Sequence, residues 1–475
     1  MIGKWARSAA VAVACVAAVA TPASATTLAD ALAIAYKTNP LLKAQQAALR
    51  ATDEGVISAR ANLLPALSQT LTASRTIDYT RYSTTSNPLL LRNPITVVSL
   101  NTRLTMQLWD GGADRLTIKA ARMNVLATRQ ALRSLEQQVL LLTVQAYMNV
   151  RRDQQFVRLA RNNVRVLREQ VRAAQDRFDV GEVTRTDVAQ AQARLAAAIA
   201  QLEANRGNLQ QSVDSYIAVV GKAPTNLRTP PPAPKIPGSP QEAEKVAKRE
   251  HPDIMQAQFN AKSAEMTARS TAKNRNPTIS FQLDHSLGGR PGGANPTTDQ
   301  LRGQIVGQLD IYQGGRLDSN RRRDVALWQQ SLANVQRSGY EVRQGVYNAY
   351  TALRTASASI RANREAVRAA QVAFEGVQEE AKLGARTTLD ALDAEQELLS
   401  ARSNLVTSIR DEYVATYQVL AAMGLLTARH LNLGVDIYDP DVNTRAVTRH
   451  QLGNLPKLDK KRRELLEKIT KRRGN

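Results

Sequence analysis

From Val98 to Leu108 apolar and polar residues alternate. Val98, Leu100, Leu104, Met106 and Leu108 fall on one side, with Thr102 the single polar member, and Ser99, Asn101, Arg103, Thr105 and Gln107 fall on the other. A period of two predicts a strand with one apolar and one wet face. Its predicted partner is Ala66 to about Ser74. The stretch between them, Arg75 to Pro94, is rich in Ser, Thr, Asn and Pro and reads as a loop. The same alternation returns later. Ile279, Phe281 and Leu283 alternate with Ser280, Gln282 and Asp284. Leu301, Ile305, Leu309 and Ile311 alternate with Arg302, Gln304, Gln308 and Asp310, with Gly303 and Gly307 on the apolar side. Strands are therefore predicted at about 66–74 and 97–109, and again at about 278–285 and 300–312.

Each strand pair exits through a double glycine, Gly111-Gly112 or Gly314-Gly315, which lets the chain turn sharply. The period then changes to three and four, as in Leu132, Leu135, Val139, Leu142 and Ala146, the seam of a coiled coil. Ala113 to Asp179 contains neither Gly nor Pro. A helix over 113–180 would be about 100 Å long at 1.5 Å per residue. Residues 316–383 match it, and return helices are predicted at 184–219 and 387–422. The segment from Thr27 to Leu63 reads as helix broken near Asn39-Pro40 and stopped by Pro65, which lacks a donor.

These elements occur twice. Asn39-Pro40 recurs as His251-Pro252 and Pro65 as Pro277, 212 residues later. Trp109-Asp110-Gly111-Gly112 recurs as Tyr312-Gln313-Gly314-Gly315, Tyr147 as Tyr350, Gly181 as Gly384 and Asp187 as Asp390, 203 residues later. A period near 200 is too long for a solenoid unit and reads as a duplicated domain. The organisation expected is a first repeat over 26–220, a linker over 221–240 with seven prolines, a second repeat over 241–425, and a C-terminal segment over 426–475 that has no counterpart.

Residues 1–25 carry a positive start (Lys4, Arg7), an apolar run from Ala9 to Ala20 and the small-residue site Ala23-Ser24-Ala25, the pattern of a secretory signal peptide. Cys15, the only cysteine, lies inside it and only weakly resembles a lipid-attachment site. A chain starting near Thr26 would have no thiol and so neither disulfides nor thiolate metal sites. The net charge of +22 invites a nucleic-acid reading, but the export signal and the 4% aromatic content speak against one. Most basic residues are dispersed on polar helix faces, apart from the tail Lys457 to Arg473, read as a solvated end. The four histidines are scattered, and no nucleophile, phosphate-loop or dinucleotide motif is present. No enzyme activity, cofactor or metal is expected.

Four strands cannot close a membrane barrel, which needs at least about eight. Strands with one apolar face would leave open edges unless chains associate. At this point the organisation resembles the TolC-like outer membrane factors. The match covers about residues 27–435 and is most specific at 177–188 (Arg177-Phe178-Asp179-Val180-Gly181-Glu182-Val183-Thr184-Arg185-Thr186-Asp187-Val188) and at 384–396, with the first segment most like the type I secretion branch. The resemblance implies a mainly α protein with a membrane β part: a duplicated unit of long coiled-coil hairpins and two β-hairpins, trimerising into a 12-stranded β-barrel on an α-helical barrel. It implies an exit duct in the outer membrane of a Gram-negative bacterium, with the helices in the periplasm. The partners implied are a periplasmic adaptor (membrane fusion protein) and an inner-membrane ABC or RND transporter. The alternative is a periplasmic coiled-coil structural or adaptor protein without a barrel.

The resemblance also assigns roles. Asp390 and Asp393, spaced i,i+3 on one helix face, would form carboxylate rings at the periplasmic aperture and favour cations. Thr387-x-x-Asp390 and Thr184-x-x-Asp187 equally read as capping boxes. Arg386 would hold the closed state by bonding Thr186 and Asp187. Val180-Gly181 and Leu383-Gly384 would be hairpin tips that meet the adaptor, although a tight αα turn needs glycine there in any case. A tyrosine expected three residues before the second turn glycine is Ala381 here, so one closing contact is missing.

Overall fold

Nearly every change of hydrophobic period in the sequence is a change of element in the computed structural model, which describes residues 26–84, 87–289, 298–383 and 385–449. The elements are α1 (Leu28–Thr38), α2 (Pro40–Ala61), β1 (Ala66–Thr84), β2 (Asn87–Trp109), α3 (Ala113–Asp179), α4 (Arg185–Val220), α5 (Pro240–Glu250), α6 (Pro252–Lys273), β3 (Thr278–Gly289), β4 (Thr298–Gln308), α7 (Arg316–Lys382), α8 (Thr388–Ala422) and α9 (Pro440–Arg449). The expected signal peptide, with Cys15, and the basic tail lie outside the described residues. Among the described residues no helix is long and apolar enough to cross a membrane.

The chain divides into two compact units. One comprises the residues up to Thr38 with Leu142–Pro234 and Ala358–Val414; the other comprises Asn39–Leu141, Lys235–Ser357 and the residues from Ala415 on.

The second of these units contains the sheet. Its four antiparallel strands lie in sequence order, β1-β2-β3-β4. Register places Leu67 opposite Leu104, Leu104 opposite Leu283, and Leu283 opposite Gly303. Since side chains alternate, one face collects Leu67, Leu71, Leu100, Leu104, Met106, Phe281, Leu283, Leu301 and Ile305, interrupted by Gln69, Thr102 and the His285–Asp299 pair. The other face collects Ser, Thr, Asn and Gln residues and the Arg103–Asp284 ion pair at 2.5 Å. Leu67, Leu71, Leu301 and Ile305 are exposed, so nothing among the described residues covers the apolar face on the two edge strands.

Two strand readings are corrected. β1 and β2 run on through the stretch read as a loop, so the strands expected at 66–74 and 97–109 are 19 and 23 residues long. Beyond Val98 they form a two-stranded ribbon, with Pro94 opposite Ile77. A proline is tolerated there because one side of the ribbon has no partner to bond among the described residues. In the second copy the last strand ends at Gln308, short of the expected 312, because its partner β3 begins at Thr278, directly after Pro277. β2 also pairs with β3, which joins the two hairpins in one sheet.

In the same unit α5, α6, α7 and α8 bury Ala243, Ala247, Ile254, Val346, Tyr350, Val419 and Met423 together. Gly424, at φ +79°, follows α8 where an added Cβ would lie 2.7 Å from the His251 Cα, so only glycine fits. The segment after it is anchored by side chains. Glu136 accepts from the Ala428 amide at 2.6 Å. Asp53, only 3% exposed, accepts from Asn443 Nδ2 at 2.7 Å and Thr444 Oγ1 at 3.0 Å, which seats α9 on α2.

In the first unit α3 and α4 pack through Val157, Ala160, Val164 and Leu167 against Ala198 and Leu202, with Leu392 of α8 in the same cluster. Tyr147 donates to Arg228 O at 2.6 Å and anchors the linker. Its duplicate Tyr350 does the same to Pro237 O at 2.8 Å in the other unit.

Candidate functional site

The turns of both helical hairpins fall within the first unit and are built alike. α3 stops at Asp179 because Gly181 takes φ +79°. The Gly181 amide donates to Phe178 O and the Glu182 amide to Arg177 O, both at 2.9 Å, a Schellman closure. In the second hairpin the Ala385 amide closes onto Glu380 O at 2.9 Å. Gly384 lies outside the described residues. Val180 and Leu383 project from the two turns 73% and 85% exposed, which leaves an apolar side chain uncovered at each tip.

The return helices begin with identical caps. Thr184 Oγ1 donates to Asp187 Oδ2 at 2.8 Å, and the Thr184 amide donates to the same oxygen at 2.9 Å. Thr387 treats Asp390 in the same way, at 2.8 Å and 3.0 Å. The Thr184 hydroxyl and amide hold Asp187 below the usual carboxylate range. The Thr387 amide and hydroxyl do the same for Asp390, helped by Arg386. Both aspartates are therefore negative at neutral pH, and both cap their own helix.

Asp393 differs. One turn further along α8, its Oδ1 accepts from Arg194 Nη2 on α4 at 2.7 Å, an ion pair between the two hairpins. Two residues on, Glu395 is buried at 8% exposure and accepts from Gln170 Nε2 of α3 at 3.0 Å. Burial pushes its carboxyl up to about 7, against the pull of the Gln170 hydrogen bond. Leu392, Asp393 and Glu395 thus attach α8 to both helices of the first hairpin within four residues.

The structure places Asp390 and Asp393 close together on α8, as the spacing expects, but gives them different partners. It does not join Arg386 to Thr186 and Asp187 within one chain. Arg386 Nε donates to Glu380 Oε2 at 3.0 Å, Thr186 is exposed, and Asp187 is engaged by Thr184. Arg194, Gln170 and Glu395 are the residues that sequence reasoning missed. A signal existed for Glu395: it interrupts the apolar seam Ala391, Leu392, Leu398 as a lone charge.

The sequence profile described as Outer membrane efflux protein matches residues 31–222 and 245–425, most of the chain and both repeats. The chain belongs to this family. It is 35% identical over 427 residues to the outer membrane efflux protein BepC of Brucella suis biovar 1 (strain 1330), covering 89% of this chain and 90% of that one. It is 25% identical over 415 residues to the outer membrane protein TolC of Escherichia coli (strain K12), covering 83% and 81%. It is 25% identical over 318 residues to the alkaline protease secretion protein AprF of Pseudomonas aeruginosa, covering 65% and 66%. Among solved structures, the Campylobacter jejuni CmeC outer membrane channel superposes with a TM-score of 0.72 at 16% identity, covering 89% of each chain, so the fold is shared. This outer membrane efflux protein is an exit channel of the outer membrane. Its family is one of channels rather than enzymes, and a barrel-free periplasmic coiled coil is not favoured.

Proposed function

We propose that three copies of this outer membrane efflux protein join edge to edge, β4 of one to β1 of the next, into a twelve-stranded barrel whose apolar face meets lipid. The observation that carries this reading is the four-stranded sheet with one mainly apolar face, one mainly polar face and, among the described residues, two unpaired edges. Closure removes the edges, and the polar face then lines the pore. β3 and β4, at 12 and 11 residues, suffice for the roughly 9–11 residues a tilted strand needs to cross the hydrocarbon.

In this reading the long helical hairpins form a periplasmic conduit, and Asp390 and Asp393 ring its aperture. Asp390 supplies the steadier charge, because its cap keeps it ionised. Arg386 serves as the gate lock by exchanging Glu380 for Thr186 and Asp187. The apolar tips Val180-Gly181 and Leu383-Gly384 dock a periplasmic adaptor, which couples the duct to an inner-membrane ABC or RND transporter. Crosslinking in intact membranes followed by purification tests this: an adaptor captured through residues at 180 and 383 is the expected product. Capture of neither adaptor nor transporter, with the duct itself recovered, would remove the tip assignment.

A further inference from the structure

Glu395 is an acid placed where a coiled coil puts an apolar residue. On α8 it lies between Leu392 and Leu398, both buried, and its one hydrogen bond comes from the neutral amide of Gln170 on α3. A small cavity of about 90 Å³ lies beside it, lined by Asn162 and Asn163 of α3, Gln371 and Phe374 of α7, and Arg402 of α8. Arg402 is the only other charged group lining that cavity, and it gives Nη2 to Gln371 Oε1 at 2.6 Å. Its nearest charged neighbours along α8 are both acidic, Asp393, which is paired with Arg194 of α4, and Glu397. No cation is therefore spent on Glu395. The cavity is roomy enough for water, so proton exchange with the carboxyl needs no unfolding.

We propose that the Glu395 carboxyl is a proton-operated latch: protonated, it lets α8 pack on α3 and holds the second hairpin against the first; ionised, it releases that packing. The consequence for transport, a narrow end that shuts in acid and loosens in base, rests on the duct reading above. The latch itself does not.

The direction follows from linkage. The carboxyl rises from 4.5 to about 7 in the packed state. Packing is thus fully favoured below the ordinary carboxylate range. It weakens as the pH climbs toward 7 and levels off above. The packed-to-released ratio should fall at least about tenfold between pH 5 and pH 8.

The test uses the full chain in detergent micelles, with spin labels on V180C and L383C, since the only native cysteine lies in the expected signal segment. Tip-to-tip distances are measured by pulsed electron resonance from pH 5 to pH 8.5. A short-distance population that shrinks as the pH rises toward and through 7 is expected. E395Q should hold the short distance at every pH. Q170L, which removes the donor that favours the ionised form, should move the transition to higher pH. Distances that ignore pH in the unmodified chain, or that respond equally in E395Q, would overturn the latch. A failed duct reading would show instead as absent conductance, which this distance does not report.

Discussion

Arg194 Nη2 and Asp393 Oδ1 lie 2.7 Å apart, so one of the two candidate aperture aspartates is neutralised by an arginine of the other hairpin. Both side chains are about half exposed, and such pairs contribute little stability, on the order of 0–1 kcal/mol. Their effect on an ion passing nearby is larger, because a narrow pore focuses the field. Arg194→Ala should free Asp393, raise cation preference and deepen block by multivalent cations. Asp393→Ala should lower both. Reversal potentials in planar bilayers under a salt gradient measure this, and identical selectivity in the two variants would count against an aperture role.

The two capping boxes make the hairpin turns acid-sensitive. Asp187 and Asp390 titrate below their unfolded values. Their contribution is present above the ordinary aspartate range and is lost as the pH falls through the depressed folded values. Thr184→Ala should cost about 1 kcal/mol of local stability. Amide exchange at residues 185–188 should quicken several-fold in that variant, and in the unmodified chain only at strongly acidic pH. Unchanged exchange in Thr184→Ala would show that the cap is not what fixes the turn.

Asp53 is a buried carboxylate whose described partners, Asn443 and Thr444, sit on α9. Asp53→Ala removes the described acceptor of Asn443 Nδ2 and one of the two acceptors of Thr444 Oγ1, whose other is Pro440 O, and should cost roughly 1–3 kcal/mol. Limited proteolysis should then cut between α8 and α9 faster than in the unmodified chain. Equal cleavage rates would mean that α9 is held by other contacts.

The two faces of the sheet should respond oppositely to charge. Leu104→Arg places a guanidinium on the apolar face and should cost about 2–4 kcal/mol if that face meets the hydrocarbon midplane. Thr105→Arg, one residue on and facing the polar side, should be tolerated. The recovery of folded protein in outer membranes is the readout. Equal loss, or equal tolerance, would argue against lipid on the apolar face.

Much of the fold was legible. The long helices announce themselves because nothing from Ala113 to Asp179 breaks them, and Gly111-Gly112 and Gly181 mark where they must begin and end. The caps at Thr184 and Thr387 could be read from local spacing alone. The extension of β1 and β2 through Pro94 could not, because proline and Ser/Thr-rich composition look like a loop unless one knows that a strand edge is free. The Arg194–Asp393 and Gln170–Glu395 contacts were also hidden. They depend on which faces of α3, α4 and α8 meet, and residues some 200 positions apart leave no periodic trace of that choice.

Assembly state decides the central claim. Native mass spectrometry of the detergent-purified chain, read beside single-channel recordings from the same preparation, should give three copies per particle and a stable conductance. A one-chain particle that leaves the bilayer silent would contradict the account.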